Sequence, residues 1–89
     1  MTKWRILLTK TAEKELSKLS PQYQSLITGY LFEILKLEHP KLLGKALRAN
    51  KKGLWRYRVE KFRIICKLEK DELIILVIKI AKRDVVYSD

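Results

Sequence analysis

The chain has 89 residues, 47% of them hydrophobic, and carries a formal net charge of +10. This size predicts one folded domain over residues 1–89, with a modest core and no room for a second domain. A single cysteine excludes a disulfide framework, and no apolar run is long enough for a bilayer span or a signal peptide, so we expect a cytoplasmic protein without membrane contact.

The first half of the chain predicts one strand followed by two helices. Large apolar residues alternate over residues 4–9, which favours a strand. Thr11 offers a capping oxygen to a helix over residues 12–19. The pair Ser20-Pro21 is a typical helix start and predicts a second helix that ends near Glu38, just before a proline.

The second half predicts a basic connector and three strands. Residues 41–63 contain nine Lys or Arg and one Glu, which favours a polyanionic partner, although a solvated basic surface has the same composition. Within and beyond this segment, strands are predicted over residues 55–59, 62–68 and 73–81. The order β-α-α-β-β-β indicates an α+β fold, with two N-terminal helices packed on one face of a four-stranded antiparallel sheet.

Alternation in the predicted hairpin separates apolar from basic side chains. Arg56, Arg58 and Arg63 fall on the face opposite the core, where three guanidinium groups on a rigid surface are suited to bind phosphate. In the last strand, alternation assigns one set of apolar residues to the core face: Ile74, Leu76, Ile78 and Ile80. The arginine-bearing face is then expected to expose three apolar residues for contacts with a partner or the chain's own tail: Ile65, Ile75 and Val77.

The usual catalytic and metal-binding patterns are absent from the sequence, so no metal or other cofactor is expected. His39 is predicted to be a helix-terminal residue and Cys66 a small buried apolar one. Arginines could stabilise charge on a phosphoryl oxygen, and a tyrosine or lysine with a lowered pKa could deprotonate a 2′-hydroxyl. The residues alone therefore predict a basic RNA-binding surface and leave open whether it is catalytic.

Several motifs in combination resemble the RelE-like toxins of the RelE/ParE toxin–antitoxin superfamily, and the likeness spans essentially the whole chain. The motifs are Ala-x-Lys-Glu-Leu-x-Lys-Leu (residues 12–19), Lys-Ala-Leu-Arg (45–48), Gly-Leu-Trp-Arg-Tyr-Arg-Val (53–59), Phe-Arg-Ile-Ile (62–65), Lys82-Arg83 and Val86-Tyr87.

This resemblance implies a ribosome-dependent endonuclease that cleaves mRNA in the A site and inhibits translation, with no metal. It implies that Arg63 stabilises the phosphate, Arg83 the transition state or leaving group, and that Tyr87 acts as base or orients the nucleophile. Arg56 and Arg58 stand where well-studied members carry lysines, which argues against either being a base. The basic residues expected to bind RNA are Arg48, Lys51, Lys52, Arg56, Arg58 and Lys82.

The resemblance also implies partners. We expect a RelB-like antitoxin that covers the basic face or displaces the C-terminal tail, contact with the ribosomal A site and mRNA, and operator DNA reached only through the antitoxin complex. Two alternatives stay open: a ParE-like inhibitor of DNA gyrase, and a catalytically inactive member acting only as a co-repressor.

Overall fold

The computed structural model describes residues 3–47 and 53–82, which form two helices and a five-stranded sheet. In chain order the elements are β1 (Arg5–Leu8), α1 (Lys10–Ser17), α2 (Pro21–Leu35), a 3-10 turn (Pro40–Leu42), β2 (Lys45–Ala46), β3 (Leu54–Val59), β4 (Phe62–Glu69) and β5 (Ile74–Lys82). The strand order is β1-β5-β4-β3-β2; β1 is parallel to β5 and the other neighbours are antiparallel. The predicted α+β class is confirmed, with five strands in a mixed sheet rather than four in an antiparallel one.

The start of α1 is hydrogen-bonded to strand β5. The Thr9 hydroxyl accepts a hydrogen bond from the Ala12 N–H at 3.1 Å, so the cap lies two residues before the predicted Thr11. The same hydroxyl donates to the Ile78 carbonyl at 3.0 Å, and the Thr9 N–H donates to the Val77 carbonyl at 2.9 Å. These bonds hold the first turn of α1 against β5.

The second helix begins at Pro21 as predicted and ends at Leu35, three residues before Glu38. His39 is extended, with φ −147° and ψ 135°, because a residue that precedes proline is disfavoured in helical geometry. No helix in the described ranges is long and apolar enough to cross a membrane.

The two helices cover one face of the sheet and enclose the core. Tyr57 is fully buried there, and its hydroxyl donates to the Pro40 carbonyl at 2.8 Å, which ties the segment after α2 to β3. Tyr23 and Phe62 pack edge to face across the layers, with ring centroids 5.1 Å apart. The core residues are Ala12, Ile27, Leu31 and Ile34 from the helices and Tyr57, Val59, Phe62, Ile64, Cys66, Ile75, Val77 and Ile80 from the strands.

A β-bulge in β5 overturns the predicted alternation of that strand. Ile65 pairs with Lys79 but Cys66 pairs with Val77, which leaves Ile78 without a partner position. One extra residue shifts the side to which every preceding side chain points. Ile75 and Val77 are therefore fully buried in the core, and the assignment of Ile74, Leu76 and Ile78 to the core face was wrong.

Candidate functional site

Strands β3 and β4 carry three arginines on the side of the sheet away from the helices. Arg58 pairs directly with Arg63, and Arg56 pairs with Ile65; directly paired residues share one side of a sheet. Tyr57, between Arg56 and Arg58, is fully buried in the core, so both neighbours point away from it. The prediction that these three arginines share one side is confirmed, and we call it the arginine face.

Within the arginine face, Arg58 and Arg63 are direct partners on adjacent strands. Like charges placed directly opposite each other in adjacent strands destabilise a sheet, by about 0.2–1 kcal/mol for a typical pair. Arg63 is half-buried, with its Nε buried, and its partner on β5 is the small residue Ala81. The strands therefore place Arg58 and Arg63 side by side, with the small residue Ala81 next to Arg63, an arrangement suited to binding an anion.

Two lysines near the arginines have acidic partners. The Lys79 ammonium lies 2.8 Å from a Glu15 carboxylate oxygen, and the Lys67 ammonium lies 3.5 Å from Glu69. Opposite charges at these distances offset part of the positive potential. Lys67 and Lys79 therefore add less positive potential to this region than their number suggests.

Glu15 of α1 also completes the edge of β5. Strand β1 pairs with β5 only as far as Val77, and beyond it the second Glu15 carboxylate oxygen accepts the Ile80 N–H at 2.8 Å. A backbone donor at a sheet edge needs such an acceptor when no strand or water provides one. Nothing local in the sequence indicates this contact, because Ile80 lies 65 residues after Glu15.

A cavity of about 220 Å³ lies where the arginine side meets the edge of β2, and we call it the edge cavity. Its lining combines cationic groups with a tyrosine from α2. Sequence reasoning did not place Tyr30 and Lys45 beside the arginines: Tyr30 comes from α2, and Lys45 from a two-residue strand that the sequence does not indicate. The lining residues are Tyr30, Gly44, Lys45, Arg56 and Arg58.

Burial fixes the protonation state of several groups. It raises the pKa of the Tyr30 hydroxyl and, more strongly, that of Tyr57, so both stay protonated at neutral pH and neither is suited to act as a base. Burial also raises the pKa of the Cys66 thiol to about 12, which confirms the prediction of an inert buried cysteine. His39 caps the 3-10 turn, its Nδ1 accepting the Lys41 N–H at 3.1 Å, as expected of a helix-terminal residue.

The remaining predicted site residues are only partly placed. Lys82 ends β5 paired with the core residue Phe62, so the structure puts it on the helix side of the sheet and not with Arg63. Within residues 3–47 and 53–82, no group of three or more His, Cys, Asp or Glu could hold a metal ion. Five predicted residues lie outside the described ranges: Arg48, Lys51, Lys52, Arg83 and Tyr87.

Comparison with known proteins places this arrangement in context. Residues 6–87 match the family described as the ParE toxin of type II toxin–antitoxin systems. Similar solved structures include the toxin–antitoxin complex RelBE2 of Mycobacterium tuberculosis (TM-score 0.82, 21% identity, 93% of this chain and 94% of that one). The archaeal RelE–RelB complex of Pyrococcus horikoshii is also similar (TM-score 0.75, 19% identity, 97% and 100%), as is the intact RelBE complex of Escherichia coli (TM-score 0.72, 15% identity, 89% and 95%). A search of curated protein sequences gives no match.

Proposed function

Because the chain belongs to the ParE toxin family of type II toxin–antitoxin systems, and folds like RelE toxins, we propose that it is a ribosome-dependent mRNA endonuclease. The observation that carries this proposal is the direct pairing of Arg58 with Arg63 on the side of the sheet away from the helices, beside the small residue Ala81. Two guanidinium groups presented from adjacent strands on one side of a sheet are suited to hold the non-bridging oxygens of a phosphodiester.

The proposed reaction is attack by the RNA's own 2′-oxygen on the adjacent phosphorus. The bond from phosphorus to the 5′-oxygen breaks, giving a 2′,3′-cyclic phosphate and a 5′-hydroxyl. Negative charge grows on the phosphoryl oxygens, where Arg63 is positioned to stabilise it and Arg58 to help. The family resemblance assigns removal of the 2′ proton to Tyr87, as base or orienting group, and stabilisation of the leaving 5′-oxygen to Arg83; the 5′-oxygen then takes a proton from water to form the 5′-hydroxyl. The cations in this scheme are side chains, so it requires no metal ion.

An antitoxin of the RelB type is the proposed inhibitor, since the similar structures include toxin–antitoxin complexes. Its acidic side chains would neutralise the arginine face, and operator DNA would be reached only through the complex. The expected apolar contact points need correction. Ile75 and Val77 are fully buried in the core and Ile65 is 4% exposed, so none of the three offers a surface to a partner.

The matched family is named for ParE, which keeps inhibition of DNA gyrase as a second candidate function. An inactive co-repressor is the third. Two assays separate the nuclease from the gyrase inhibitor. Primer extension on mRNA bound to purified ribosomes detects cleavage of RNA, and a supercoiling assay detects inhibition of gyrase. Growth arrest when the chain is expressed without antitoxin separates both from the co-repressor.

The decisive variant is Arg63→Ala, which we expect to reduce the rate of mRNA cleavage on ribosomes by about 10²–10³-fold, the usual effect of removing one group that stabilises a transition-state oxyanion. Arg63→Lys should recover part of the rate, because lysine keeps the charge but loses the two-pronged contact. Lys18→Ala, an exposed lysine at the end of α1, is the matched control. Cleavage by Arg63→Ala at the parental rate would show that the arginine face is not the catalytic site.

A further inference from the structure

A second cavity, of about 190 Å³, lies at the end of the sheet away from the turn between β3 and β4. We call it the tryptophan cavity, because both tryptophans of the chain line it. Trp4 precedes β1 and Trp55 lies on β3, with Leu68 of β4 also in the lining. The proposed reaction uses none of these residues.

The indole rings are held in place by their surroundings. Trp55 donates its ring N–H to the Leu43 carbonyl at 2.7 Å, and Trp4 meets the His39 ring edge to face at a centroid distance of 5.7 Å. Both indoles are half-buried and pack against the core, so one part of each ring is fixed while another borders the cavity. Rigid aromatic faces of this kind are suited to stack on flat rings.

Besides His39, the polar side chains that line the cavity are cationic. Lys41 and Lys70 are exposed members of the lining, and the Lys41 ammonium lies 5.3 Å from the centre of the Trp55 ring. No carboxylate belongs to the lining among the described residues. The ligand that matches this chemistry combines a flat aromatic ring with negative charge, which describes a nucleotide.

Basic groups also connect this cavity to the arginine face. Ala46 of β2 lines the tryptophan cavity, while its neighbour Lys45 lines the edge cavity together with Arg56 and Arg58. A single strand of RNA could therefore follow positive charge from one site to the other around the edge of β2.

We propose that the tryptophan cavity binds one nucleotide of single-stranded RNA, with the base stacked against the indoles and the neighbouring phosphates close to Lys41 and Lys70. That the natural ligand is RNA rests on the proposed function; nucleotide binding itself does not. The cavity would be a second RNA-binding site of the toxin, separate from the site at which the RNA is cleaved.

The test uses the fluorescence of the chain, because both tryptophans border the site and every indole reports on it. The probe is single-stranded pentadeoxyadenylate, which lacks the 2′-hydroxyl and so cannot undergo the proposed cleavage. We expect saturable quenching, with an affinity about tenfold lower in the Lys41→Gln/Lys70→Gln variant, the scale expected for losing phosphate contacts and part of the stacking geometry. Lys18→Gln, on the far helix, should leave the affinity unchanged.

Two further probes test whether binding depends on the nucleotide base. A pentamer of the same backbone without bases and a pentaglutamate peptide should both fail to quench. Equal quenching by either would overturn the proposal in favour of a general attraction for anions or acidic peptides. If Arg63→Ala abolishes quenching while Lys41→Gln/Lys70→Gln leaves quenching unchanged, the probe binds at the arginine face. That result would also overturn the proposal.

Failure of this inference is distinguishable from failure of the proposed function. If pentadeoxyadenylate does not quench while the parental chain cleaves mRNA on ribosomes, the cavity is not a nucleotide site and the nuclease assignment stands. If quenching depends on Lys41 and Lys70 while ribosomes show no cleavage, the nucleotide site stands and the nuclease assignment falls.

Discussion

Replacing Gly44 by alanine tests how the edge of the sheet is closed, and Gly53 provides a matched comparison. Both glycines have positive φ, +79° and +78°, a region in which an alanine costs about 1–2 kcal/mol. A Cβ on Gly53 would meet nothing within 4 Å. A Cβ on Gly44 would overlap the Arg56 carbonyl oxygen and lie 2.6 Å from the Trp55 ring nitrogen, so backbone must move.

We therefore expect unequal costs at the two positions. Gly53→Ala should lower the free energy of unfolding by about 1 kcal/mol, from the backbone term alone. Gly44→Ala adds an overpacking term of about 1–3 kcal/mol, because strand β2 must separate from β3 to accept the methyl group. At about 4–8 °C per kcal/mol for a domain of this size, Tm should fall by about 4–8 °C for Gly53→Ala and by at least twice as much for Gly44→Ala.

Thermal unfolding followed by circular dichroism measures both values under one condition. Near-ultraviolet spectra report in addition on Trp55, whose hydrogen bond to Leu43 should weaken only when Gly44 is replaced. Equal losses of unfolding free energy in the two variants would contradict this reasoning. They would show that β2 moves away from β3 without an energetic cost and that the close approach of Gly44 to β3 does not contribute to stability.

Two further predictions concern charge. Arg58→Gln should raise the free energy of unfolding by about 0.5 kcal/mol at low salt, by relieving repulsion with Arg63, while reducing mRNA cleavage. Urea unfolding should show that this gain shrinks at 1 M salt, where the screening length is about 3 Å; a loss of stability would contradict it. For Cys66, whose pKa burial raises from 9.0 to about 12, the thiolate forms first in the unfolded chain. Stability is therefore unaffected by this group below pH 9 and falls above it by at most about 1.4 kcal/mol per pH unit, a slope that should be shallower in Cys66→Ala.

The hairpin was predictable because its signal is local. Alternation from Trp55 to Val59, and again from Phe62 onward, separates arginines from apolar residues over consecutive positions, so periodicity alone assigns Arg56, Arg58 and Arg63 to one side. The β5 strand offers no such contrast. Residues 73–78 are apolar at every position, so the bulge that reverses the strand's sides leaves no trace in the pattern.

Long-range pairing accounts for the other differences. Strand β2 has two residues, and its register with β3 depends on Gly44, not on a run of strand-forming residues. The parallel pairing of β1 with β5 joins Arg5 to Ile74, a contact that propensity does not indicate. Tyr30 was not anticipated near the arginines because it reaches the site from α2, and Lys45 was not because the two-residue strand that carries it was not predicted.

The position of β5 has a consequence for biosynthesis. This strand is the last described element, yet it is hydrogen-bonded to the first strand on one side and to β4 on the other. During translation β1 cannot form its pairing with β5 until β5 has been synthesised, and such late closure slows folding. We expect prematurely terminated chains to lack a closed sheet, so that toxicity to the producing cell begins only when synthesis has passed residue 82.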